Sequence, residues 1–573
     1  MDRNSVISAR QVQGLIADGH TIVIYNGHVL QLDSWLHKHP GGLLPIAHMV
    51  GRDATNEINA YHLPKTQRLM KAYRIAKVKL PWTNLTPPIR SNDCCVRGEW
   101  QEEKTVAPTD DDDSDWSSST LPTSTELVSE KVPEVLTTAF DNDTDKGTCV
   151  PIVGSERISG IKDEEQGSIC EVACTLRKRP SRTEYIASLE QDEIDSDMLD
   201  YPSLDFETQE AISKEYGALH ERIKKEGFYQ CRYSEYGKDA IRWGILFSGF
   251  LGFLYAEWYI TSAVFLGMFW QQIMFVAHDA GHRGITGNFV ADTLIGAFVA
   301  DFCCGLSIGW WKSSHNVHHL ITNMPEHDPD LQNVPIFSTS PSYFRSLLSS
   351  FYNFTFVWDA AADVMVRYQK WTYYPVMALA RFNLYFLSWC HLMSPRSKNL
   401  GSAAWTRPVE IAMMACYWAL FGYGLVWRTL PDWPTRVAFV LTSHIATMLL
   451  HVQITLSHWG MPTADLGPSE SFPQRQLRTT MDIDCPPWLD FLHGGLQFQA
   501  IHHLFPRVPR HNLRGVQGLV RVFCEKTQIK YRCYGFVEGN HVMLSRLEEV
   551  TKMAETLLKC QLHMAKTGDS GLH

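Results

Sequence analysis

Three features that would indicate other classes of protein are missing from this sequence. The fourteen cysteines include no Cys-x-x-Cys pair, which favours reduced thiols over a disulfide framework or a zinc site. The net charge is only −10, so the charge balance indicates no nucleic-acid partner. The first residues, 1–5, lack the basic start and apolar core of a signal peptide. We therefore expect membrane insertion to rely on internal segments.

The chain is rich in clustered histidines. Of its 24 histidines, eight lie in four stretches beside long apolar runs. Three stretches place side chains at i, i+3 or i+4, which share one face of a helix, and the fourth has a single histidine. These stretches are His278-Asp-Ala-Gly-His282, His315-Asn-Val-His318-His319, Gln499-Ala-Ile-His502-His503 and Ser457-His458. Imidazoles in such sets bind first-row transition metals, and eight of them exceed the coordination of one ion. The pattern predicts a metal site at a membrane surface.

The single histidine of the fourth stretch belongs to a series, because His444, His451 and His458 lie seven residues apart. His458 is at the end of its predicted span, level with the other stretches, and we assign it to the metal site. At ~1.5 Å per residue, His451 and His444 would lie roughly 10 and 20 Å deeper. We expect those two to line a substrate tunnel or to bond to neighbouring helices.

Residues 6–80 predict a small α+β domain. Two short apolar runs flank Asn26-Gly27, the typical turn of a β-hairpin. Downstream, His39-Pro-Gly-Gly places a histidine on a tight, open loop that a flat ligand can approach closely. His62 follows 23 residues later and could reach the opposite face of the same ligand. We expect the nearby His37 and His48 to be surface residues.

This module resembles a cytochrome b5 domain, in which two axial histidines hold the haem. By that resemblance His39 and His62 would bind haem b. Two axial imidazoles leave no open position on the iron, so such a haem would carry electrons and would not bind O2.

A polar stretch follows the haem module. Residues 83–198 contain the run Asp110–Asp113 and few sustained apolar segments, which predicts a disordered acidic linker. The remaining residues, 199–573, predict an all-α integral membrane domain. At its start, residues 201–237 have apolar positions at helical spacing, which predicts amphipathic helices at the cytosolic membrane face.

Five apolar segments are candidates for crossing the membrane. The segment Trp371–Met393 carries Arg381 and Asn383 near its middle, and we expect it to lie in the interface. If the histidine stretches share one side, that leaves four transmembrane helices with both termini cytosolic: Ile241–Tyr255, Ile260–Ala277, Pro408–Leu430 and Trp433–Leu456. The shorter stretch Ala291–Cys304 contains two aspartates and is expected to be interfacial or partly re-entrant.

The ligand types narrow the chemistry. Soluble di-iron oxygenases use carboxylate-rich sites, whereas imidazoles predominate here and carboxylates such as Asp279 would be outer partners. Two irons can activate O2 and remove hydrogen from an unactivated methylene if two electrons arrive, and the fused haem module would supply them. An apolar chain held beneath the metals would react at a position fixed by its distance from the head group.

The whole arrangement is similar to membrane front-end desaturases with a fused cytochrome b5 domain. The third stretch carries this resemblance, since Gln499 stands where the other stretches begin with histidine. The resemblance implies a cytosolic di-iron centre with nine residues at it: His278, His282, His315, His318, His319, His458, Gln499, His502 and His503.

One residue of the third stretch differs from the usual desaturase motif, and this difference indicates a smaller group within the family. Ile501 stands where the usual third box has glutamate, and with the long acidic linker this is more like fungal sphingolipid delta-8 desaturases. The resemblance then implies a ceramide long-chain base as substrate, O2 as oxidant and NADH-cytochrome b5 reductase as electron donor, in the endoplasmic reticulum membrane. Three alternatives stay open: a front-end fatty-acyl desaturase, a di-iron lipid hydroxylase and a non-enzymatic haem carrier.

Overall fold

In the computed structural model, which describes residues 2–90, 182–398 and 400–567, the N-terminal module is built on a four-stranded sheet. Its elements in chain order are β1 (Val6–Ile7), α1 (Ala9–Ala17), β2 (Ile22–Tyr25), β3 (His28–Gln31), α2 (Asp33–Leu36), α3 (Leu44–Ala47), α4 (Thr55–Tyr61), α5 (Pro64–Met70) and β4 (Arg74–Val78), with 3₁₀ turns at Lys71–Tyr73 and Pro88–Arg90. The strand order is β1-β4-β3-β2, and only the β1–β4 pair is parallel.

The predicted hairpin is confirmed and is the centre of this module. Asn26 and Gly27 have φ values of 49° and 69°, the left-handed backbone that an Asn-Gly turn requires. Successive side chains of a strand point to opposite faces, so Ile22 and Ile24 enter one apolar cluster while Val23 enters another. The sheet is thereby buried on both sides.

The second part of the chain is mostly helical. Its helices are α6 (Arg182–Asp200), α7 (Phe206–Lys225), α8 (Tyr233–Tyr255), α9 (Tyr259–Gly281), α10 (Phe289–Ala297), α11 (Ile308–Leu320), α12 (Ala360–Met365), α13 (Gln369–Met393), α14 (Thr406–Tyr417), α15 (Trp433–Ile445), α16 (Met448–Trp459), α17 (Phe472–Arg478), α18 (Asp490–His493), α19 (Gln499–Leu504), α20 (Arg510–Thr527) and α21 (Phe536–Thr567). Two-stranded sheets join β5 (Leu347–Ser349) to β6 (Phe354–Phe356) and β7 (Asp482–Asp484) to β8 (Cys533–Gly535). Wider π-helical turns occupy Phe298–Cys303 and Trp418–Thr429.

Three helices among the described residues are long and apolar enough to cross a membrane: Tyr259–Gly281, Gly401–Thr429 and Trp433–Trp459. A fourth is possible if Phe289–Cys303 and Ile308–Leu320, which meet at 115°, form one broken span. The bent pair matches the expectation of a re-entrant element at residues 291–304. Together with the family reported below, these helices make the chain a membrane protein.

The first predicted span, Ile241–Tyr255, is not among these helices. It forms the second half of α8, whose first half carries Glu235, Lys238 and Asp239, so the apolar part alone is short for a bilayer. The predicted hairpin with α9 does form: a Cβ on Gly249 would lie 2.4 Å from the Phe265 ring, so this ring of α9 packs directly on the backbone of α8.

Helix α13 contains the predicted interfacial segment and also falls outside the three long apolar helices. Its Arg381 is fully buried in protein. The guanidinium donates to the Tyr385 hydroxyl at 2.9 Å and to the Cys304 carbonyl at 2.8 Å and lies 4.3 Å from the centre of the Trp270 ring, so neutral polar and aromatic groups surround the charge inside the bundle.

Two expectations for the region between the modules need correction. The predicted disordered linker of residues 83–198 is ordered at both ends, at Pro88–Arg90 and in α6, while residues 91–181 lie outside the described part of the chain. The apolar face of α7 was predicted to meet the membrane, but it is buried against protein. Tyr216 on that face stacks on Phe505 at 5.3 Å and donates to the Leu504 carbonyl at 2.7 Å.

Candidate metal and haem centres

The histidines meet in two separate groups at the ends of α9, α11, α16 and α19. The first group contains His278, His282, His315 and His502, and the second contains His318, His458 and His503. Within each group the available ring nitrogens all lie within 4.8 Å of one another. Seven of the nine predicted site residues therefore offer nitrogens to one of two points, which is the arrangement that two neighbouring metal ions require.

Unpartnered nitrogens show that these groups suit a metal. Six of the predicted site histidines have a buried ring nitrogen without a hydrogen-bond partner among the described residues: His278, His282, His319, His458, His502 and His503. A buried polar atom without a partner is costly, and a bound cation would remove that cost. Burial also holds the pKa of His502 and of His503 well below the ordinary value, which keeps both rings neutral with a free lone pair.

The remaining two predicted residues differ in how the structure places them. The Nε2 atom of His319 lies 2.9 Å from Nε2 of His315, and its ring stacks on His503 at 4.1 Å. His319 thus stands between the two groups. Gln499 is buried, and its side-chain oxygen has no hydrogen-bond partner among the described residues.

A carboxylate that the sequence reasoning missed orients the second group. Asp328 is fully buried, and its Oδ2 accepts a hydrogen bond from Nδ1 of His318 at 2.8 Å. This bond fixes the proton on Nδ1 and turns Nε2 of His318 towards the group, as carboxylates do for metal-bound histidines. The available signal was the motif Asp328-Pro-Asp330, ten residues after the second histidine stretch.

Gln476 orients the ring of His503 as Asp328 orients that of His318, and nothing in the sequence around Gln476 indicated this. Its side-chain oxygen accepts from Nδ1 of His503 at 2.9 Å, and its amide nitrogen donates to the His319 carbonyl at 2.8 Å. One side chain from α17 therefore connects the second and third histidine stretches.

Asp279, expected to be an outer partner of the metal site, has another role. Its carboxylate is 3.9 Å from Nδ1 of His278, beyond hydrogen-bonding distance. The other oxygen accepts from the Tyr236 hydroxyl at 2.5 Å and pairs with the guanidinium of Arg510. Asp279 therefore holds the end of α9 to α8 and α20.

The deeper histidines, His444 and His451, lie outside both groups. Nδ1 of His451 bonds to the Met377 carbonyl on α13 at 3.0 Å, as expected for a contact between neighbouring helices. Nδ1 of His444 bonds to the Val440 carbonyl of its own helix at 2.7 Å.

A close approach of two helices brings the first and fourth stretches together. A Cβ added to Gly267 on α9 would lie 2.3 Å from the Ser443 carbonyl oxygen on α15. Only glycine allows this separation, which holds the first half of α9 against α15, the helix before the one that carries His458.

In the N-terminal module, His39 and His62 face each other with ring centroids 6.1 Å apart. This separation leaves room for one metal ion bound from both sides at about 2 Å per nitrogen. Nδ1 of His39 bonds to the Gly42 carbonyl at 2.8 Å, which leaves Nε2 free. Burial lowers the pKa of His62 to about 3 and lowers that of His39, so both rings are neutral.

One of the two expected surface histidines is buried instead. His37 is exposed, but His48 has no exposed surface and its ring lies edge-on to His327 of the helical part at 5.1 Å. The prediction was wrong because this side of α3 packs against the second module, a contact that local sequence does not encode.

Comparison with known proteins agrees with both centres. Residues 8–79 match the cytochrome b5-like haem/steroid binding domain, and residues 256–535 match the fatty acid desaturase family.

Several relatives match over nearly the whole chain. The "Delta 8-(E)-sphingolipid desaturase" of Emericella nidulans is 42% identical over 99% of this chain and 98% of its own length, and the protein of that name from Candida albicans is 41% identical over 97% and 98%. The "Delta(8)-fatty-acid desaturase" of Helianthus annuus is 34% identical over 60% of this chain and 75% of its own. The chain therefore belongs to the fatty acid desaturase family, with a cytochrome b5-like haem domain at its N-terminus.

Proposed function

We propose that this chain is a delta-8 sphingolipid desaturase that introduces an E double bond at carbon 8 of a ceramide long-chain base. The two convergent groups of imidazoles carry the proposal of oxidative chemistry. The substrate follows the names of fungal relatives that match 97–99% of the chain, whereas the plant fatty-acid desaturase matches 60%.

Each histidine group would hold one iron ion, with His319 between them and Gln499 beside the first. When bound, the iron pair supplies the activation of O2 and the removal of two hydrogens from adjacent methylenes. The protein orients the ligands and keeps water away. Asp328 and Gln476 fix the rings of His318 and His503, and the buried histidines exclude bulk water from the reacting atoms.

His39 and His62 would hold haem b. Bound there, the haem would supply single-electron transfer and leave O2 to the histidine groups. NADH-cytochrome b5 reductase is the proposed source of the electrons. We place the histidine groups and both termini on the cytosolic side of the endoplasmic reticulum membrane, where that reductant is available.

The proposal is tested by expressing the full chain in a yeast strain that lacks this unsaturation. Long-chain bases and fatty acids are then analysed separately by mass spectrometry. We expect a new double bond at carbon 8 of the long-chain base, and its loss in His318→Ala with the haem absorbance kept.

His541→Ala is the matched control, because His541 lies on α21 outside both histidine groups and should be dispensable. New double bonds in fatty acids, with none in long-chain bases, would overturn the substrate and favour the acyl-desaturase alternative. A hydroxyl group in place of the double bond would favour the hydroxylase.

A further inference from the structure

Both haem-ligand segments of the N-terminal module lie against α11, the helix that carries the second histidine stretch. On the side of His39, a Cβ on Gly41 would be 3.3 Å from the side-chain nitrogen of Asn316. On the side of His62, the preceding residue, Tyr61, donates a hydrogen bond to the His319 carbonyl at 3.3 Å. The proposed haem and the proposed iron site are therefore separated by one layer of side chains.

Tyr61 is held in this position from several directions. Its ring meets the His319 imidazole edge-on at 6.0 Å, and Phe472 packs on it at 6.4 Å. The neighbouring Ala60 carbonyl accepts a hydrogen bond at 3.0 Å from Arg507, just after the third histidine stretch. Tyr61, the residue before the proposed haem ligand His62, is thus in contact with His319, which stands between the two histidine groups.

Ion pairs farther away keep the two modules together. Asp465 accepts from Arg90 at 2.6 Å and from Arg475 at 2.8 Å, and Arg90 follows the haem module. Apolar residues of α3 and α11 share one buried cluster that includes Leu44, Ala47 and Val317. The contact of Tyr61 with His319 is therefore part of a packed interface and does not depend on Tyr61 alone.

We propose that Tyr61 is the positioning residue through which electrons pass from the haem held by His39 and His62 to the metal groups at His319. This inference rests on the proposed function. One electron moves per event: the haem is oxidised and the histidine-bound metal is reduced by one electron. Two such electrons, two protons and two hydrogens of the substrate reduce one O2 to two waters.

Tyr61 offers a bonded path across this interface. From the backbone of His62 the path runs through one peptide unit, the Tyr61 ring and one hydrogen bond to the main chain of His319, whose imidazole stands between the two histidine groups. Asn316, which meets the His39 loop, has no aromatic ring. Covalent and hydrogen bonds couple electron donors and acceptors better than gaps between apolar side chains.

The test measures the haem itself in the full-length protein loaded with haem and iron in lipid nanodiscs. The haem is reduced with dithionite without oxygen and in the presence of ceramide, and then mixed with O2 in a stopped-flow instrument. We expect haem reoxidation to be about tenfold slower in Tyr61→Leu, equal to about 1.4 kcal/mol of activation free energy. Tyr61→Phe keeps the aromatic ring, so its rate of haem reoxidation should fall much less.

Tyr73→Leu is the matched control, because that tyrosine belongs to the same module and packs on Trp35 at 6.1 Å. It should reoxidise at the wild-type rate. The haem content and midpoint potential of Tyr61→Leu should equal those of the wild type. If Tyr61→Leu fails to retain haem, Tyr61→Met keeps an apolar side chain of similar length and carries the same expectation.

The inference is overturned if a Tyr61 variant with normal haem reoxidises at the wild-type rate. It is equally overturned if the slow variant stays slow when dithionite reduces the iron directly in a single turnover, since the defect would then lie in the metal site. Failure of the proposed function looks different: the wild-type protein would reoxidise its haem without forming a double bond in the long-chain base.

Discussion

Replacing Asp328 by asparagine should weaken metal binding at the second histidine group while leaving the haem in place. The Asp328 carboxylate accepts hydrogen bonds from Nδ1 of His318 and from the backbone of Asn323, both at 2.8 Å, and from the backbone of Asp330 at 2.9 Å. An amide oxygen can still accept from His318, but without the charge. The amide nitrogen then faces the Asp330 N–H and leaves a donor unmatched.

Two estimates of the size of this effect agree. A hydrogen bond to a charged group contributes about 1.5–3 kcal/mol. Loss of an outer partner of a metal-bound histidine lowers metal affinity about 10- to 100-fold, which is about 1.4–2.7 kcal/mol. We therefore expect Asp328→Asn to release iron at a chelator concentration about 10- to 100-fold lower than the wild type does.

The assay titrates the purified full-length protein with an iron chelator and measures iron per chain and the haem absorbance. Asp330→Asn is the matched control, because the carboxylate of Asp330 is 34% exposed and its oxygen is 3.8 Å from Nδ1 of His318. Asp330→Asn should lower the chelator concentration that releases iron by less than about threefold, as expected for a partly exposed charge pair. Wild-type iron retention in Asp328→Asn would refute the orienting role.

Three further predictions use other parts of the chain. His39→Ala should abolish haem binding but keep iron, because the two centres share no ligand; a haem assay showing full occupancy would contradict this. Burial raises the pKa of Glu57 to about 7, so its contribution to stability is complete below about pH 4.5 and is lost as the pH rises through 7. The melting temperature of Glu57→Gln should therefore rise relative to that of the wild type as the pH goes from 5 to 8. If the two melting temperatures change in parallel with pH, Glu57 does not have this raised pKa. Gly267→Ala should destabilise the helical part by about 1–3 kcal/mol through overpacking against Ser443, measured by thermal unfolding, whereas Gly244→Ala, with open space around it, should be neutral.

The haem module shows which structural features can be predicted from local sequence. Asn26-Gly27 has the left-handed backbone of a hairpin turn, and the short apolar runs on either side of it form the antiparallel strand pair. Both were predictable because the interactions involved are between near neighbours. The burial of His48 was not predictable, since it depends on His327, a residue 279 positions away.

The membrane helices were predictable in part for the same reason. Apolar length identifies α9 and the helix Trp433–Trp459 directly. The role of α8 was misjudged because its charged first half and apolar second half form one continuous helix. The apolar face of α7 was assigned to lipid, because its periodicity has the same form whether the face meets lipid or Phe505.

By itself the sequence determined that eight histidines at helical spacing are too many for one metal ion, and its resemblance to cytochrome b5 predicted a second pair for a haem. Only the tertiary structure decided how the eight divide. Successive residues on a helix differ by about 100° in direction, so His502 joins the first group and His503 the second, and α11 likewise supplies both. It also brought Asp328, Gln476 and Tyr61 to the histidines, since a hydrogen bond between distant segments depends on how helices pack and not on the spacing within any one of them.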